Sequence, residues 1–195
     1  MTETYDQLAA EIRACTLCAA HLPLGPRPVW RGQRSARLAV ISQAPGTRVH
    51  ETGLSFNDPS GDRLRDWLGL DRAAFYDETQ VAIVPMGFCY PGRYAKGGDL
   101  PPRPECAPLW HSRLFAQLPA IELTLLVGSY AIFYYLPAAR GRPMTAAIRA
   151  WRDFLPGTFV LPHPSWRTMR WLRENSWFEA EVLPELRARI GALLR

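Results

Sequence analysis

Four cysteines and one His-Pro-Ser triplet are the residues of this chain whose types and spacing point to chemistry. Cys15 and Cys18 form C-x2-C, and Cys89 and Cys106 form a much wider pair, C-x16-C, across a proline-rich stretch. Two thiols about a turn apart chelate, whereas isolated cysteines of an intracellular chain are usually inert and buried. Zinc ribbons close with a second tight C-x2-C. The open second pair suits a larger object, a four-iron cluster on four thiolates. Spacing alone leaves a cluster, a zinc ion, and thiols without metal all open. Of the four histidines, His163 is the one flanked by proline on both sides, in Pro162-His163-Pro164-Ser165 after a short apolar run. Placed after a buried strand, that triplet is a candidate site. The plainer alternative is a capping or buried histidine.

The elements that must position these groups alternate. Leu8, Ile12 and Cys15 recur at helical spacing and predict a helix over 4–18 that ends in the C-x2-C pair. Apolar runs at Leu38–Ser42, Gln80–Val84, Ile121–Val127 and Thr158–Leu161 read as four buried strands. Helices are expected over Gly61–Gly69, Pro104–Leu118, Ser129–Leu136, 144–154 and from Trp177 onward. Strands alternating with helices predict an α/β fold, a three-layer α/β/α sandwich around a four-stranded parallel sheet. In such folds ligands bind beyond the carboxyl ends of the strands. Those ends lead into Gln43-Ala44-Pro45-Gly46, Pro85-Met86-Gly87 and the His163 loop, three unusual loops at one edge.

The 195 residues make one domain, with 48% apolar and 21% charged residues, which excludes a disordered chain. No apolar stretch reaches the length of a membrane span, and the N-terminal segment lacks the basic and apolar regions of a secretory signal. The expectation is a cytoplasmic monomer without membrane contact. The net charge is +5, and 22 of the 23 basic residues are arginine, Lys96 being the exception. Arginine binds phosphate through a planar fork, so nucleic acid is permitted as a partner; a GC-rich genome is the plainer cause.

In this order the motifs resemble the uracil-DNA glycosylase superfamily, most closely its iron–sulfur branch. That branch has a helix ending in C-x2-C, a G-E-[AG]-P-G loop, T-G-x-P-F, a third cysteine after a strand, a proline-rich loop to a fourth, and a final H-P-S. Here Ser42-Gln43-Ala44-Pro45-Gly46, Thr52-Gly53-Leu54-Ser55-Phe56, Cys89, Cys106 and His163-Pro164-Ser165 stand in that order, over about residues 8–190. The resemblance implies hydrolysis of the bond between uracil and deoxyribose in DNA, with the base flipped into a pocket. It also implies a 4Fe-4S cluster on Cys15, Cys18, Cys89 and Cys106. Phe56 matches the ring that stacks on the base, and His163 the imidazole that stabilises the leaving anion. Ala44, Pro45 and Gly46 would line the pocket. Ser165, Arg167 and Arg170 would hold phosphates, Trp166 or Met169 would wedge into the duplex, and Arg93, Lys96 and Arg103 would face the DNA backbone. No histidine lies in 90–105 to capture the sugar covalently, so free turnover is expected.

Two positions depart from the pattern. The acidic residue of the first loop is Gln43, which can orient water but cannot take its proton. The asparagine that reads uracil falls on Pro85, which has no polar side chain. The nearest replacements are Asn57, able to read the base edge, and Asp58, able to hold or deprotonate water. Against this stands ordinary turn and cap chemistry in Asn57-Asp58-Pro59-Ser60. A glycosylase for hypoxanthine or xanthine and a non-catalytic iron–sulfur DNA-binding protein are the alternatives.

Overall fold

A computed structural model describes residues 3–195. Helix α1 (Tyr5–Arg13) starts on a capping box: the Thr4 hydroxyl accepts from the Gln7 N–H and the Gln7 side chain accepts from the Thr4 N–H. It stops short of the expected residue 18. Strand β1 (Leu38–Ile41) is wholly buried, as a central strand covered on both faces must be. Two short helices follow, α2 (Thr47–Thr52) and α3 (Pro59–Leu68), and then α4 (Arg72–Tyr76). Asp58 caps α3 by accepting from the Gly61 N–H at 2.9 Å, and Gly69 closes its other end in the left-handed conformation. The remaining elements are β2 (Val81–Ile83), α5 (Cys106–Ala116), β3 (Leu123–Val127), α6 (Ser129–Tyr135), α7 (Met144–Arg149), β4 (Thr158–Leu161), α8 (Thr168–Glu174) and α9 (Leu183–Leu193). A π-helical turn over Phe178–Val182 leads into α9.

All four strands are parallel, in the order β2-β1-β3-β4. Leu38 stands between Val81 and Leu123, and Thr124 pairs with Thr158. The side chains of β2 show the layering. Ala82 joins Leu8, Ile12, Trp110 and Leu114 of α1 and α5 in one core, whereas Val81 and Ile83 join Leu64, Trp67, Leu186 and Ile190 of α3 and α9 in the other. Successive strand residues face opposite sides, so helices must cover both faces. This is the expected α/β/α sandwich. The strand order reverses between β1 and β3, which opens a crevice at their carboxyl ends. No helix among the described residues is long and apolar enough to cross a membrane.

Candidate active site

The crevice is a cleft of about 520 Å³ lined by the loops that leave β1, β2 and β4. The first loop is tied to the second by main-chain bonds, Met86 N–H to Ser42 O at 2.7 Å and Gly87 N–H to Gln43 O at 3.0 Å. Phe56, Asp58 and Ser60 enter from the segment before and at the start of α3. His163, Ser165, Trp166 and Arg167 enter from the loop after β4. A fourth wall is the segment Arg93–Asp99, folded back as a tight hairpin in which Tyr94 N–H bonds Gly98 O and Leu100 N–H bonds Gly92 O.

Phe56 is buried, and its φ is 55°, a left-handed backbone that a bulky residue adopts only when its surroundings impose it. The imposing groups are visible. The Arg65 guanidinium donates to Phe56 O at 3.3 Å, and Phe75 meets the ring edge-to-face at 6.0 Å. Gly61 packs against the same carbonyl so closely that a Cβ there would lie 1.8 Å from Phe56 O. The ring is therefore held rigidly at the cleft wall.

His163 is fixed through its own main chain. Its carbonyl accepts from the Thr168 hydroxyl at 2.5 Å, and the next carbonyl, Pro164 O, accepts from Arg63 at 2.8 Å. Gly128, at φ 86° after β3, leaves it room, since a Cβ there would stand 3.2 Å from the His163 Cβ. Burial lowers the imidazole's pKa, opposed by the nearby Asp58 charge. The ring is thus neutral at pH 7, a hydrogen-bond donor rather than a resident cation. Phe56 and His163 share one cleft.

A family model described as the uracil DNA glycosylase superfamily matches residues 29–187. The chain belongs to that superfamily. It is accordingly a DNA glycosylase, a hydrolase of base–sugar bonds that acts on DNA. The cleft brings an aromatic ring, Phe56, and an imidazole, His163, to one opening at the carboxyl edge of the sheet.

The other sequence-expected residues divide. Gln43, Ala44, Pro45, Gly46, Asp58, Ser165, Trp166 and Arg167 line the glycosylase cleft. Trp166 is 76% exposed, with the Arg167 guanidinium over its ring at 5.6 Å. Asn57 does not line the cleft; its Oδ1 accepts from Arg72 at 3.0 Å. Arg170 also lies off the cleft and pairs with Glu174 at 2.8 Å on the exposed side of α8. Pro85 is in the cleft wall, and its carbonyl bonds the buried His111 Nε2 at 3.1 Å. Sequence reasoning missed Asp99, the second carboxylate of the cleft after Asp58. Its only advance signal was Lys96-Gly97-Gly98-Asp99, a glycine pair that turns the chain back inside a long loop.

The four cysteines are free and line a common, mainly apolar cavity with Leu17, Leu22, Phe88 and Trp110. Cys15 and Cys18 lie in the turn after α1, not in the helix, and Cys106 opens α5. The Phe88 N–H donates to Cys106 Sγ at 3.3 Å. Burial pushes the Cys106 thiol up to about 12 and raises Cys89 and Cys18 as well. Among the described residues no group of three or more His, Cys, Asp or Glu is arranged to hold a single metal ion. Arg103 lines this cavity, and it pairs with Glu105 at 2.7 Å.

Proposed function

We propose that the protein removes uracil from DNA and so initiates base excision repair. The observation that carries this reading is the shared cleft of Phe56 and His163 at the carboxyl edge of the sheet. The flipped base would stack on Phe56, a contact worth about 1–3 kcal/mol by comparison with other base–aromatic stacks. The neutral His163 would donate to a uracil carbonyl as the bond to the sugar lengthens. Its main chain is held through the His163 and Pro164 carbonyls before the charge forms, which lowers the reorganisation that opposes the reaction. With Asn57 turned to Arg72, the base edge is left to the Ser42 hydroxyl and the main chain of the first loop. Trp166 and Arg167 at the mouth would meet the duplex, the ring entering the gap left by the base and the guanidinium a phosphate.

Cys15, Cys18, Cys89 and Cys106 would hold a 4Fe-4S cluster. Four thiols and an apolar wall suit it, and the Phe88 N–H supplies a hydrogen bond of the kind that tunes cluster sulfurs. When bound, the cluster would supply cross-linking of the chain and no bond-making step. Its thiols tie the turn after α1 and the segment after β2 to the start of α5.

A second reading has its own observation: Pro85 in the cleft wall removes the side chain that would select uracil. Hypoxanthine or xanthine would then be the base. Single-turnover excision from single- and double-stranded oligonucleotides carrying each base decides between them. Abasic product from U:G and U:A, with little from the other two, is the expected result. Binding without any abasic product would refute glycosylase function. Iron and acid-labile sulfide in equal amounts, lost in Cys89→Ser, are expected of the cluster; zinc or no metal in the purified protein would refute it.

A further inference from the structure

Hydrolysis needs a group that takes a proton from water, and two carboxylates in the cleft compete for that role. Asp58 is already committed. Its Oδ1 accepts the Gly61 N–H at 2.9 Å as the cap of α3, and the amino end of a helix favours its anion. Asp99 is not so bound. Among the described residues its one ionic contact is loose, Arg93 Nε at 3.6 Å, and its side chain is 41% exposed. Its Oδ2 lies beside the first loop, where a Cβ on Gly46 would come within 3.4 Å of it. Gln43 reaches across to the same hairpin and donates from Nε2 to Leu100 O at 3.3 Å. The amide on the first loop thus anchors the segment that carries the carboxylate.

Resting on the glycosylase reading above, we infer that Asp99 is the general base of the reaction and that Gln43 is a positioning residue acting through the Leu100 carbonyl. The bond between sugar C1′ and base nitrogen breaks with its electron pair leaving on the base. A water oxygen bonds to C1′ while Asp99 takes that water's proton. The base leaves as an anion held by the His163 N–H and is then protonated by solvent, and Asp99 returns its proton to solvent. The products are the free base and a sugar bearing a hydroxyl at C1′, with no oxidant or reductant involved. Partial burial raises the Asp99 carboxyl above its ordinary value, Arg93 pulls it down, Asp58 pushes it up and Arg167 pulls it down again. A raised carboxyl is the stronger base, provided it is ionised at working pH.

The test compares wild type, Asp99→Asn, Asp99→Glu and Asp58→Asn by single-turnover excision on uracil, hypoxanthine and xanthine substrates, with DNA affinity measured separately. Asp99→Asn should lose about 100-fold or more in rate, the scale of a general base, while DNA affinity holds and Asp99→Glu recovers part of the rate. The wild-type rate should fall as pH drops and the carboxylate protonates, and this acid limb should be missing in Asp99→Asn. The charged groups facing Asp99 are Arg93, Lys96, Arg167, Asp58 and His163. Of these, His163 keeps its donor when protonated, so it does not produce the limb. Asp58→Asn should keep the limb. Asp99→Asn within about threefold of wild type, far short of the usual 10²–10⁴-fold for a lost base, overturns the inference. So does a slow Asp99→Asn that keeps the acid limb. Wild type acting on another base refutes the uracil reading alone, and the Asp99 comparison is then decided on that base. Wild type inert on all three refutes both.

Discussion

Gly61→Ala tests whether the geometry of Phe56 matters as argued. A Cβ at Gly61 would sit 1.8 Å from Phe56 O and 2.8 Å from the Phe56 Cβ. The first obstacle is main chain, so no side-chain rotation relieves it. Reaching an ordinary contact requires the two segments to part by roughly 1.5 Å, several times the tolerance of about 0.5 Å for a preorganised site. The same movement opens the cap between the Gly61 N–H and Asp58 and shifts Phe56 within the cleft it shares with His163. Misplacement by about 1 Å costs on the order of 10²-fold in rate, or about 2.7 kcal/mol of activation free energy. The overpacking itself should cost about 1–3 kcal/mol of stability, a fall in Tm of several degrees. The assay is single-turnover excision with thermal melting of the same samples. Gly191→Ala on the outer face of α9 is the control, because a Cβ there meets nothing within 4 Å. It should leave activity unchanged and stabilise by about 0.5–1 kcal/mol. Gly61→Ala with wild-type rate and Tm would show that the clash is absorbed without moving the ring, and the role given to Phe56's placement would fail.

Three further outcomes are expected. His111 is buried between the Tyr135 hydroxyl at 2.6 Å and Pro85 O at 3.1 Å, and burial pushes its pKa down to about 4. The folded state therefore resists protonation more than the unfolded state, so stability is full above about pH 6.5 and is lost as pH falls toward 4, on the order of 3 kcal/mol in all. Urea unfolding at several pH values should show this, and His111→Gln should be weaker at pH 7 yet lose less across the same range; an equal loss would refute the assignment. Trp166→Ala should leave stability within about 0.5 kcal/mol. It should slow excision from duplex roughly tenfold or more while sparing single strands, read on paired substrates, since stacking in the gap is worth about 1–3 kcal/mol. Gln43→Ala removes one hydrogen bond to the Asp99 hairpin and should slow excision roughly tenfold with a stability loss of about 1 kcal/mol, measured by excision and melting; an unchanged rate would mean the hairpin needs no such anchor.

The four strands were legible because each is a largely apolar run, whereas their order in the sheet was not, since any order of parallel strands can be packed between helices. Three strands came out shorter by a residue or two, as at Ile41 and Ile83, and Thr158–Leu161 kept its expected bounds. Helices α2, α4 and α8 were not foreseen, because each is under two turns and carries too few apolar residues to show a period. The first helix was drawn five residues too long. Cys15 and Cys18 share a face in any helix, and that periodic signal hid a turn that aims both at the cavity. Phe56 and His163, expected from contiguous motifs, both line the cleft. The direction of Asn57 was not legible, because a turn residue's direction depends on what it meets, here Arg72 from the next helix. Asp99 was invisible for the opposite reason: its place in the cleft depends on Gly46 leaving room beside it and on Gln43 holding Leu100, pairs far apart in the chain that no local pattern records.

The strain at Phe56 and the buried charge at Arg65 explain each other. A left-handed phenylalanine costs on the order of 1 kcal/mol or more, and glycine there would remove that cost. Arginine is seldom buried, yet Arg65 is only 7% exposed. Its guanidinium is satisfied by Asp62, the Tyr76 hydroxyl and Phe56 O, and it lies over the Phe75 and Tyr76 rings at 5.5 and 5.6 Å. The Tyr76 hydroxyl in turn donates to Ser55 O at 2.8 Å, one residue before the strained one. Consecutive carbonyls of the turn are thus gripped by one network, and releasing Phe56 from its unusual φ would strip a buried cation of a partner. That penalty, 1–3 kcal/mol or more for a charged group, exceeds what relaxing the backbone would return. The turn that carries the ring is held by the cost of unpairing the arginine behind it, so the stacking proposed for Phe56 would need no rearrangement of this turn.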